Sequence, residues 1–303
     1  MDLKDLELNL SHEEKQKLFK EVSEMIKQTK PIQSEPKVKI LADSLSKSGH
    51  RLTTFELTFW RPILPEITRH RALSFSVRSS RATPVKNLIE EIQDSPWGPS
   101  EWGKNQPGMV AEDVFSNEEF IKSFEYVWYQ AANFCCQMAK TLREVGVHKQ
   151  VVNRMLEPYT CTHAVVSGTE WDNFFKLRTA PDSQPEMQDL ANKMLKLYDE
   201  HEPVLLDDSD WHLPYITKKD LSAFKLANLK PAEWCKISAA RCARVSYKLY
   251  DGTTDPKKDL ELYDKLKTSG HWSPMEHVAI PAVDDYMESN FKGWNQLRKY
   301  EED

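Results

Sequence analysis

Apolar residues recur at intervals of three and four along several stretches of the chain, a spacing that predicts amphipathic helices. The first of these helices begins at the capping-box residues 11–14 and continues to residue 26. A second box at residues 116–119 opens a longer helix, which we expect to end at Gly146. Further helices are predicted over residues 170–178, 183–201 and 255–269, and a helix or a strand over residues 236–247.

Alternation of apolar and polar residues is confined to a few short stretches. Residues 52–59, which are rich in threonine and phenylalanine, and residues 159–166 have this pattern and are predicted to be β-strands, as is the segment 277–283. Residues 94–109 contain three prolines, three glycines and two tryptophans, which predicts an ordered loop that covers part of the molecule. The pattern therefore predicts an α+β fold that is rich in helix and has a small antiparallel sheet.

The amino-acid composition indicates which classes of protein this chain can belong to. The 303 residues are 40% hydrophobic and 29% charged, values typical of a soluble globular protein. No apolar run approaches the ~20 residues that cross a bilayer, and the first residues lack the apolar stretch of a secretory signal. We therefore expect a cytoplasmic protein that does not bind membranes. The net charge of −6 argues against nucleic acid as a partner.

The usual sequence signatures of nucleotide and metal sites are missing. None of the nine glycines forms a G-x-G pair, which excludes a Rossmann fingerprint and a P-loop. The five cysteines have no C-x-x-C spacing, and His271 and His277 are too far apart to share a helix face with Glu276. We therefore predict no metal site. Any bound nucleotide must be held by arginines, hydroxyl groups and helix ends.

Residues 69–81 are the strongest candidate for such a site. Four arginines, one histidine and four serines occupy these thirteen positions. Guanidinium groups hold phosphates by bidentate charge-assisted hydrogen bonds, and serine hydroxyls add neutral ones. The alternative is a solvated basic surface, which is the usual explanation of a run of charges. Composition alone leaves both interpretations open.

The spacing within this segment resembles a family signature. Residues 69–71 read Arg-His-Arg and are followed, after seven residues, by Ser79, which matches the R-H-R-x7-S motif of the flavin-dependent thymidylate synthases. Ser74 and Arg81 match the longer form of that motif. The segment departs from the family at Ser76, where asparagine is usual, at Ala82, where tyrosine is usual, and at Glu66, where glutamine is common.

Two later segments also resemble this family. Residues 154–158 are similar to its R-x-x-L-P motif, and residues 173–178 are similar to N-F-x-x-L-R. The resemblance implies that Arg154 holds the nucleotide, that Arg178 lies against the pyrimidine and that Asn173 contacts the flavin. Without the family, Arg178 would be interpreted as a partner of the helix dipole at the end of a short helix.

Motifs that this family has before R-H-R occur here near the C-terminus. They are the A-A-R helix at residues 239–247 and the G-H-x-S-P-x-E-H segment at residues 270–277, and a weaker form of the second lies at residues 48–57. An internal duplication would explain this arrangement. We therefore predict a synthase-like region over residues 1–206, a connection over 207–232 and a second, partial half over 233–303.

The last residues extend this hypothesis. The segment 291–298 follows the second G-H motif as residues 69–71 follow the first, so Gln296 and Arg298 could supply the glutamine that is replaced at Glu66. His50 and His271 contact flavin by resemblance, or else cap turns. For His277, a buried or capping role is the stronger interpretation.

The resemblance implies an activity and a site. In this family a pyridine nucleotide such as NADPH reduces FAD, methylene-tetrahydrofolate supplies a one-carbon unit to C5 of dUMP, and the flavin hydride completes the methyl group. The implied catalytic residues are Arg178 and Ser79. The implied substrate contacts are Arg69, Ser79, Ser80, Arg81, Arg154, Arg178, Gln296 and Arg298. The implied flavin contacts are His50, Arg69, His70, Arg71, Ser74, Ser76, Asn173 and His271.

Several alternatives remain at this point. The substrate could be dCMP, or the product a hydroxymethyl group formed when water replaces the hydride. A third alternative is a homologue that binds nucleotides without catalysis. By resemblance we expect a homotetramer, or a dimer if the chain is a fused duplication. The same departures from the family would suit a virus-encoded protein that acts in a host cytoplasm.

Overall fold

A computed structural model describes residues 24, 26–27, 29–247, 250–252, 255–282 and 290–302. The helix predicted over residues 11–26 lies almost wholly outside the described residues, as does the end of the strand predicted over residues 277–283. No described helix combines the length and the apolar character that crossing a bilayer requires.

The centre of the fold is a five-stranded sheet with the order β3-β4-β2-β1-β5. Neighbouring strands are antiparallel except β5, which pairs in parallel with β1 over two residues. The expected small antiparallel sheet is therefore mixed at one edge. Two further strands, β6 and β7, form a separate antiparallel pair. The strands are β1 Lys37–Leu45, β2 Arg51–Trp60, β3 Ser74–Val77, β4 Cys161–Gly168, β5 Val204–Leu205, β6 Ala279–Pro281 and β7 Trp294–Gln296.

Helices make up most of the remaining regular structure. The described α-helices are α1 Leu64–Ile67, α2 Val85–Asp94, α3 Glu118–Glu144, α4 Lys149–Val152, α5 Asp172–Arg178, α6 Pro185–Glu200, α7 Lys218–Leu226, α8 Pro231–Ala243, α9 Pro256–Thr268 and α10 Arg298–Glu301. The ambiguous segment 236–247 is thus helical over most of its length. The α+β class is confirmed.

The long helix α3 begins one residue later than the predicted capping box. Asn117, and not Ser116, is the cap, because its side chain accepts hydrogen bonds from the backbone N–H groups of Glu119 and Phe120. At the other end, Gly146 has a φ of +89°, a conformation that glycine adopts at little cost. The predicted end of the helix is therefore confirmed.

The two faces of the sheet differ in polarity because β2 alternates. Phe55, Leu57 and Phe59 point to one face and are fully buried in the main hydrophobic core, together with Trp171 and the inner side of α6. Thr54 and Thr58 point to the opposite face. That face needs a polar cover, because buried hydroxyl groups require hydrogen-bond partners.

The C-terminal part of the chain supplies this cover through two histidines. His212 bonds to Ser44 and Thr54 at 2.8 and 2.7 Å, and His277 bonds to Ser167 and Ser76 at 2.9 and 3.0 Å. Thr54 and Ser167 are themselves 2.6 Å apart, so the bonds form one buried chain across four strands. The chain runs Ser44–His212–Thr54–Ser167–His277–Ser76.

Burial keeps both histidines neutral. It lowers the pKa of His212 and that of His277 to about 3, because a low-dielectric surrounding disfavours the imidazolium form. A neutral imidazole can donate from one nitrogen and accept at the other, which suits a chain of hydroxyl groups. The cover of the sheet therefore depends on two uncharged imidazoles.

We predict that the free energy of unfolding falls as the pH drops below about 6.5, the ordinary pKa of histidine. Between about pH 6.5 and pH 3, the two histidines are protonated in the unfolded chain but not in the folded protein. Each of them therefore lowers the free energy of unfolding by up to about 1.4 kcal/mol for every pH unit of acidification. Urea unfolding between pH 7.5 and pH 5 measures the slope.

His277→Ala should reduce this slope and also lower stability at pH 7.5 by about 2–4 kcal/mol, because it leaves a cavity, removes one bond from Ser167 and leaves the Ser76 hydroxyl unpaired. His271→Ala is the matched control, since His271 is exposed. An equal slope in the His277→Ala protein would contradict the assignment.

Candidate functional site

The arginine-rich segment is divided by a short strand. Residues 69–71 lie in the turn after α1, and residues 74–77 form β3, which pairs with β4. Residues 79–81 lie in the turn that follows β3. The sequence pattern did not predict this strand, because arginines and serines dominate the segment and strands favour β-branched and aromatic residues.

At the start of β3, Arg178 forms hydrogen bonds with two residues, Glu66 and His70. Its Nη1 lies 2.8 Å from Oε2 of Glu66, its Nη2 donates to the Glu66 carbonyl oxygen, and its Nε donates to Nε2 of His70 at 3.0 Å. The Arg178 side chain is only 18% exposed. The structure thus brings together the first motif and the end of α5.

His70 is held as a neutral imidazole in this cluster. Burial and the nearby charge of Arg178 both lower its pKa. Since its Nε2 accepts from Arg178, the neutral ring carries its proton on Nδ1. Phe174 meets the ring edge-on with the centroids 4.9 Å apart, which fixes the orientation of the ring.

Glu66 is the residue at this cluster that sequence reasoning left out of the site. It was noted only as a departure from the family glutamine, yet its carboxylate neutralises the guanidinium of Arg178. The sequence did contain a signal for Glu66. Its carboxylate adds a negative charge three residues before the Arg-His-Arg motif, where the family commonly has a neutral amide. Spatial proximity to Arg178 could not be read from the sequence.

At the other end of β3, Arg81 and Arg154 lie in neighbouring turns. The Asn153 side chain donates to the carbonyl oxygens of Ser80 and Thr83 at 2.6 and 2.9 Å, which ties the short 3₁₀ helix Asn153–Met155 to the motif segment. Arg154 is 56% exposed and forms an ion pair with Glu157. The predicted phosphate contacts Arg81 and Arg154 are therefore held close together.

Ser79 and Ser80 complete this turn. The backbone N–H of Ser79 donates to the Ser246 carbonyl oxygen at 2.9 Å, so the turn is anchored to the C-terminal part of the chain. Ser80 is buried, and its carbonyl oxygen accepts the bond from Asn153. Ser79 remains half-exposed beside Arg81.

The arginines of the segment differ in their partners. Arg78 is buried and forms two hydrogen bonds with the Glu91 carboxylate, so it stabilises the fold. Arg69, Arg71 and Arg81 are exposed, and none of the described residues forms an ion pair or a side-chain hydrogen bond with them. Three guanidinium groups are therefore available to an anionic ligand.

Ser74 and Ser76 are buried in β3, and their hydroxyl groups already have partners within the chain. Gln296 donates from Nε2 to Ser74 Oγ at 3.1 Å and to the Glu276 carbonyl oxygen at 2.9 Å, and Ser76 bonds to His277. Burial lowers the pKa of His277 to about 3, in agreement with the expected buried role. These contacts position the motif strand.

The remaining predicted residues are spread over the surface. Arg298 pairs with Glu276 and Glu302, and His271 bonds to Ser269 Oγ in the turn after α9. His50 lies in the β1–β2 turn, where its ring packs so closely on Gly293 that a Cβ there would fall 2.2 Å from His50 Cδ2. Asn173 is exposed on α5.

The candidate site thus consists of two clusters at opposite ends of β3. One contains Glu66, His70 and Arg178, with Arg69 and Arg71 in the adjoining turn. The other contains Arg81 and Arg154. Four residues of extended strand span about 13 Å, so the strand sets the distance between the clusters.

A cavity of about 320 Å³ lies on the polar side of the sheet. The residues that line the cavity include Lys37, Thr58, Glu91 and His163. None of the predicted site residues lines it. Burial lowers the pKa of His163 to about 4, and its Nδ1 is 2.8 Å from Thr58 Oγ1.

Cysteine chemistry and metal chemistry have little support in the part of the chain that the structure describes. Burial raises the pKa of Cys136 and of Cys161 to about 11 and that of Cys235 to about 12, so these thiols are protonated near neutral pH. Among the described residues, no group of three histidine, cysteine or carboxylate side chains could hold a metal ion.

Known proteins resemble mainly the first two thirds of the chain. Residues 11–204 match the family model Thy1, described as thymidylate synthase complementing protein. A flavin-dependent thymidylate synthase of Synechocystis sp. is 26% identical over 164 residues, which cover 52% of this chain and 71% of that protein. The matched family range includes both clusters, whereas His271, Gln296 and Arg298 lie beyond it.

Solved structures show more distant likenesses. A UMP/dUMP methylase, PolB, from Streptomyces cacaoi bound with 5-Br UMP aligns with 58% of this chain and 93% of its own, at 15% identity and a TM-score of 0.47. Thymidylate synthase X from Helicobacter pylori with FAD and dUMP aligns with 48% of this chain and 66% of its own, at 21% identity and a TM-score of 0.33.

We predict that Arg178→Ala raises the pKa of His70, because it removes the neighbouring positive charge that helps to lower it. Titration of the imidazole signals by NMR measures the change. Arg154→Ala is the matched control, since Arg154 belongs to the other cluster and should leave the His70 signal where it is. An unchanged His70 pKa in the Arg178→Ala protein would show that the Nε–Nε2 contact is absent in solution.

Proposed function

The chain belongs to the thymidylate synthase complementing protein family, and on that premise we propose that it is a flavin-dependent thymidylate synthase. The proposed reaction moves a one-carbon unit from methylene-tetrahydrofolate to C5 of dUMP. Reduced FAD is the proposed hydride donor, and NADPH the proposed reductant of the flavin. The proposed location is the cytoplasm.

One observation carries this proposal. Arg69, Arg71 and Arg81 are exposed guanidinium groups without partners among the described residues, and they belong to a segment whose other arginine, Arg78, is neutralised. Unpaired arginines that cluster on one segment favour an anionic ligand over a purely structural role. A nucleotide phosphate and the diphosphate of FAD are anions of this kind.

The residues present fit a flavin dinucleotide. Arg69 and Arg71 offer bidentate donors to a diphosphate, and the neutral His70 between them has its Nδ1 proton to donate. FAD, when bound and reduced, supplies the hydride. The protein's part in such a reaction is to bind, orient and stabilise charge.

Arg178 has the central role in the proposed chemistry. C5 of the pyrimidine attacks an electrophile most readily when a ring carbonyl oxygen carries negative charge, as in the base that has lost its N3 proton. A guanidinium held in a partly buried site stabilises that charge before the attack. Glu66 and His70 hold Arg178 in a defined orientation before the substrate binds. Ser79, which lies with Arg81 at the other end of β3, remains a predicted substrate contact, and Arg81 and Arg154 are the proposed phosphate contacts.

Covalent attack by a cysteine is not part of this proposal. Burial raises the pKa of the thiols of Cys136, Cys161, Cys235 and Cys242, so none of them is poised as a thiolate. Charge stabilisation by arginine therefore replaces nucleophilic catalysis. The roles of His50, Ser74, Ser76, Asn173, His271, Gln296 and Arg298, and the division of the chain at residues 206 and 233, remain predictions.

A second candidate substrate is dCMP, and Glu66 favours it. A carboxylate accepts a hydrogen bond from the N4 amino group of cytosine, whereas it repels the O4 carbonyl of uracil. The Glu66 carboxylate lies 2.8 Å from the guanidinium proposed to contact the pyrimidine, where the family commonly has an amide. An amide can serve either base because it both donates and accepts.

We expect the protein, supplied with FAD, NADPH and methylene-tetrahydrofolate, to release tritium from C5-labelled dUMP. Arg178→Ala should lower kcat by about 100-fold or more, because it removes a charge-stabilising donor. Arg143→Ala is the control, since Arg143 is exposed on α3 outside the site. Release that does not require the folate, or no release from either dUMP or dCMP, would contradict the proposed activity.

Replacement of Glu66 tests which base is preferred. Glu66→Gln should shift the ratio of kcat/KM values towards dUMP by about 10-fold or more, since one specific base contact contributes about 1–3 kcal/mol of discrimination. The same tritium assay with labelled dUMP and dCMP measures both values. If the wild-type protein uses dUMP alone and Glu66→Gln leaves the ratio unchanged, the dCMP candidate is wrong and the dUMP assignment stands.

Replacement of the exposed arginines tests nucleotide binding apart from catalysis. Arg81→Ala should weaken dUMP binding by about 10-fold to 100-fold, because a charge-assisted hydrogen bond contributes about 1.5–3 kcal/mol. Isothermal titration calorimetry without folate measures the Kd. Arg143→Ala is again the control, and an unchanged Kd for Arg81→Ala would remove Arg81 from the phosphate site.

A further inference from the structure

The C-terminal part of the chain covers the polar face of the sheet incompletely. On β2 this cover ends at Glu56, whose carboxylate accepts a hydrogen bond from the Tyr215 hydroxyl. Thr58 is the next residue on that face. It bonds to His163 of β4, and no bond joins it to a described residue of the C-terminal part. The cavity of about 320 Å³ lies at this end of the face.

Three side chains in one row across the sheet line the floor of the cavity. Lys37 on β1 pairs with Thr58 on β2, and Thr58 pairs with His163 on β4. Residues paired in this way point to the same face, and the row extends over about 10 Å, which is twice the distance between neighbouring strands. A lysine therefore borders one end of the floor and a histidine the other.

Polar groups of this floor keep bonding capacity for a ligand. His163 uses Nδ1 for the contact with Thr58 Oγ1, and no described residue bonds to its Nε2. Burial, and after it the charges of Arg78 and Lys37, lower the pKa of His163 to about 4, so the imidazole is neutral. Lys37 is exposed, and its ammonium group forms neither an ion pair nor a hydrogen bond with a described residue.

The helix that forms one wall ends on an unpaired carboxylate. Three of the last five residues of α2 are acidic, although the partial negative charge at a helix C-terminus disfavours anions. Arg78 neutralises Glu91, and Lys86 lies 3.6 Å from Glu90. Asp94, which lines the cavity, has no ion pair with any residue that the structure describes. Such a departure from the local rule is more typical of a binding site than of a stabilising surface.

Two aromatic residues, Trp97 and Tyr159, also line the cavity, and hydrogen bonds fix their segments. The Trp97 N–H donates to the Tyr159 carbonyl oxygen at 3.0 Å, and the Gly98 N–H donates to the Gln33 carbonyl oxygen at 2.9 Å. A Cβ at position 98 would fall 2.7 Å from Nε1 of Trp128, so this close approach requires glycine. The walls are therefore preformed, which lowers the entropic cost of binding.

These groups together define the chemistry of a ligand. An unpaired lysine favours an anionic group, an unpaired carboxylate accepts from an amino group, and aromatic walls favour a planar ring. The volume of about 320 Å³ falls within the range of about 300–1,000 Å³ that is usual for small-molecule pockets. A mononucleotide whose base has an exocyclic amino group combines all of these features.

We propose that this cavity is a second ligand site, which binds an aromatic anion with an amino group, of about the size of a mononucleotide. Lys37 binds the anionic group, Asp94 accepts a hydrogen bond from the amino group, and Nε2 of His163 bonds to the ligand from the floor. The Arg78 N–H donates to the His163 carbonyl oxygen at 2.8 Å, so the cavity adjoins the turn that contains Arg81. None of the residues proposed to bind dUMP or FAD lines it.

Calorimetry with three related compounds tests the class of ligand. Adenosine 5′-monophosphate should bind at one site per chain, and about 10-fold or more tightly than two analogues. Inosine 5′-monophosphate lacks the amino group, and adenosine lacks the phosphate. Equal binding of all three compounds, or no binding of adenosine 5′-monophosphate, would overturn the proposal.

The same titration with and without saturating dUMP and FAD tests whether the site is a second one. The Kd of adenosine 5′-monophosphate should be unchanged by either compound, whatever the reaction that the protein catalyses. A higher Kd in the presence of dUMP or FAD would assign the cavity to the site of that compound and overturn the proposal.

Two replacements test the proposed contacts separately. Lys37→Ala should weaken the binding of adenosine 5′-monophosphate by about 10-fold or more and leave that of adenosine unchanged. Asp94→Ala should remove the preference over inosine 5′-monophosphate. Lys219→Ala and Asp182→Ala are the matched controls, since both residues are exposed and lie outside the cavity. Unchanged binding of all three compounds by both cavity variants would refute the assignment.

Imidazole signals in NMR spectra locate the bound compound. Adenosine 5′-monophosphate should shift the signals of His163 and leave those of His271, which lies in the exposed turn after α9, where they are. A His163 signal that stays unchanged when the protein is saturated would place the compound elsewhere and overturn the proposal.

Discussion

The structure depends on keeping two histidines uncharged inside the protein. His212 and His277 connect hydroxyl groups from four strands, and each would have to lose its partners or its burial in order to accept a proton. Protonation of either imidazole would therefore weaken the contact between the C-terminal part and the sheet, because it would raise the free energy of the folded state. An apolar cover would leave the hydroxyl groups of Ser44 and Ser76 without the partners that they have here, which explains why imidazoles and not leucines occupy this layer.

This cover also determines the geometry of the candidate site. His277 and Gln296 bond to the serines of β3, so the strand that separates the two arginine clusters is held on both of its sides. The motif therefore does not act as a continuous phosphate-binding loop. Its ends present side chains to solvent, and its middle is part of the buried structure.

The arginines of the motif segment differ in whether a carboxylate pairs with them, and this difference separates a structural arginine from the candidates for ligand binding. Arg78 has a carboxylate and is buried, whereas Arg69, Arg71 and Arg81 have none among the described residues and are exposed. Arg178 is intermediate, since Glu66 compensates its charge while leaving 18% of the side chain accessible. A substrate that contacts Arg178 would have to share it with Glu66, and this competition is the basis of the role proposed for Glu66 in the choice of base.

The sequence by itself determined the class, the family and the position of the motif. Periodicity placed β2, β4 and the helices α3, α5, α6 and α9, because their patterns repeat over many residues. It missed β3, because arginines and serines dominate that segment. It also left β1 and α2 unassigned, although Val85, Leu88, Ile89 and Ile92 of α2 have helical spacing, and it shifted the α3 cap by one residue. Pairing was decided only by tertiary structure: the contact of Glu66 with Arg178 joins residues 112 positions apart, and that of Ser76 with His277 joins residues 201 apart. No local pattern encodes such contacts, because they arise from the packing of segments that the chain brings together only when it is folded.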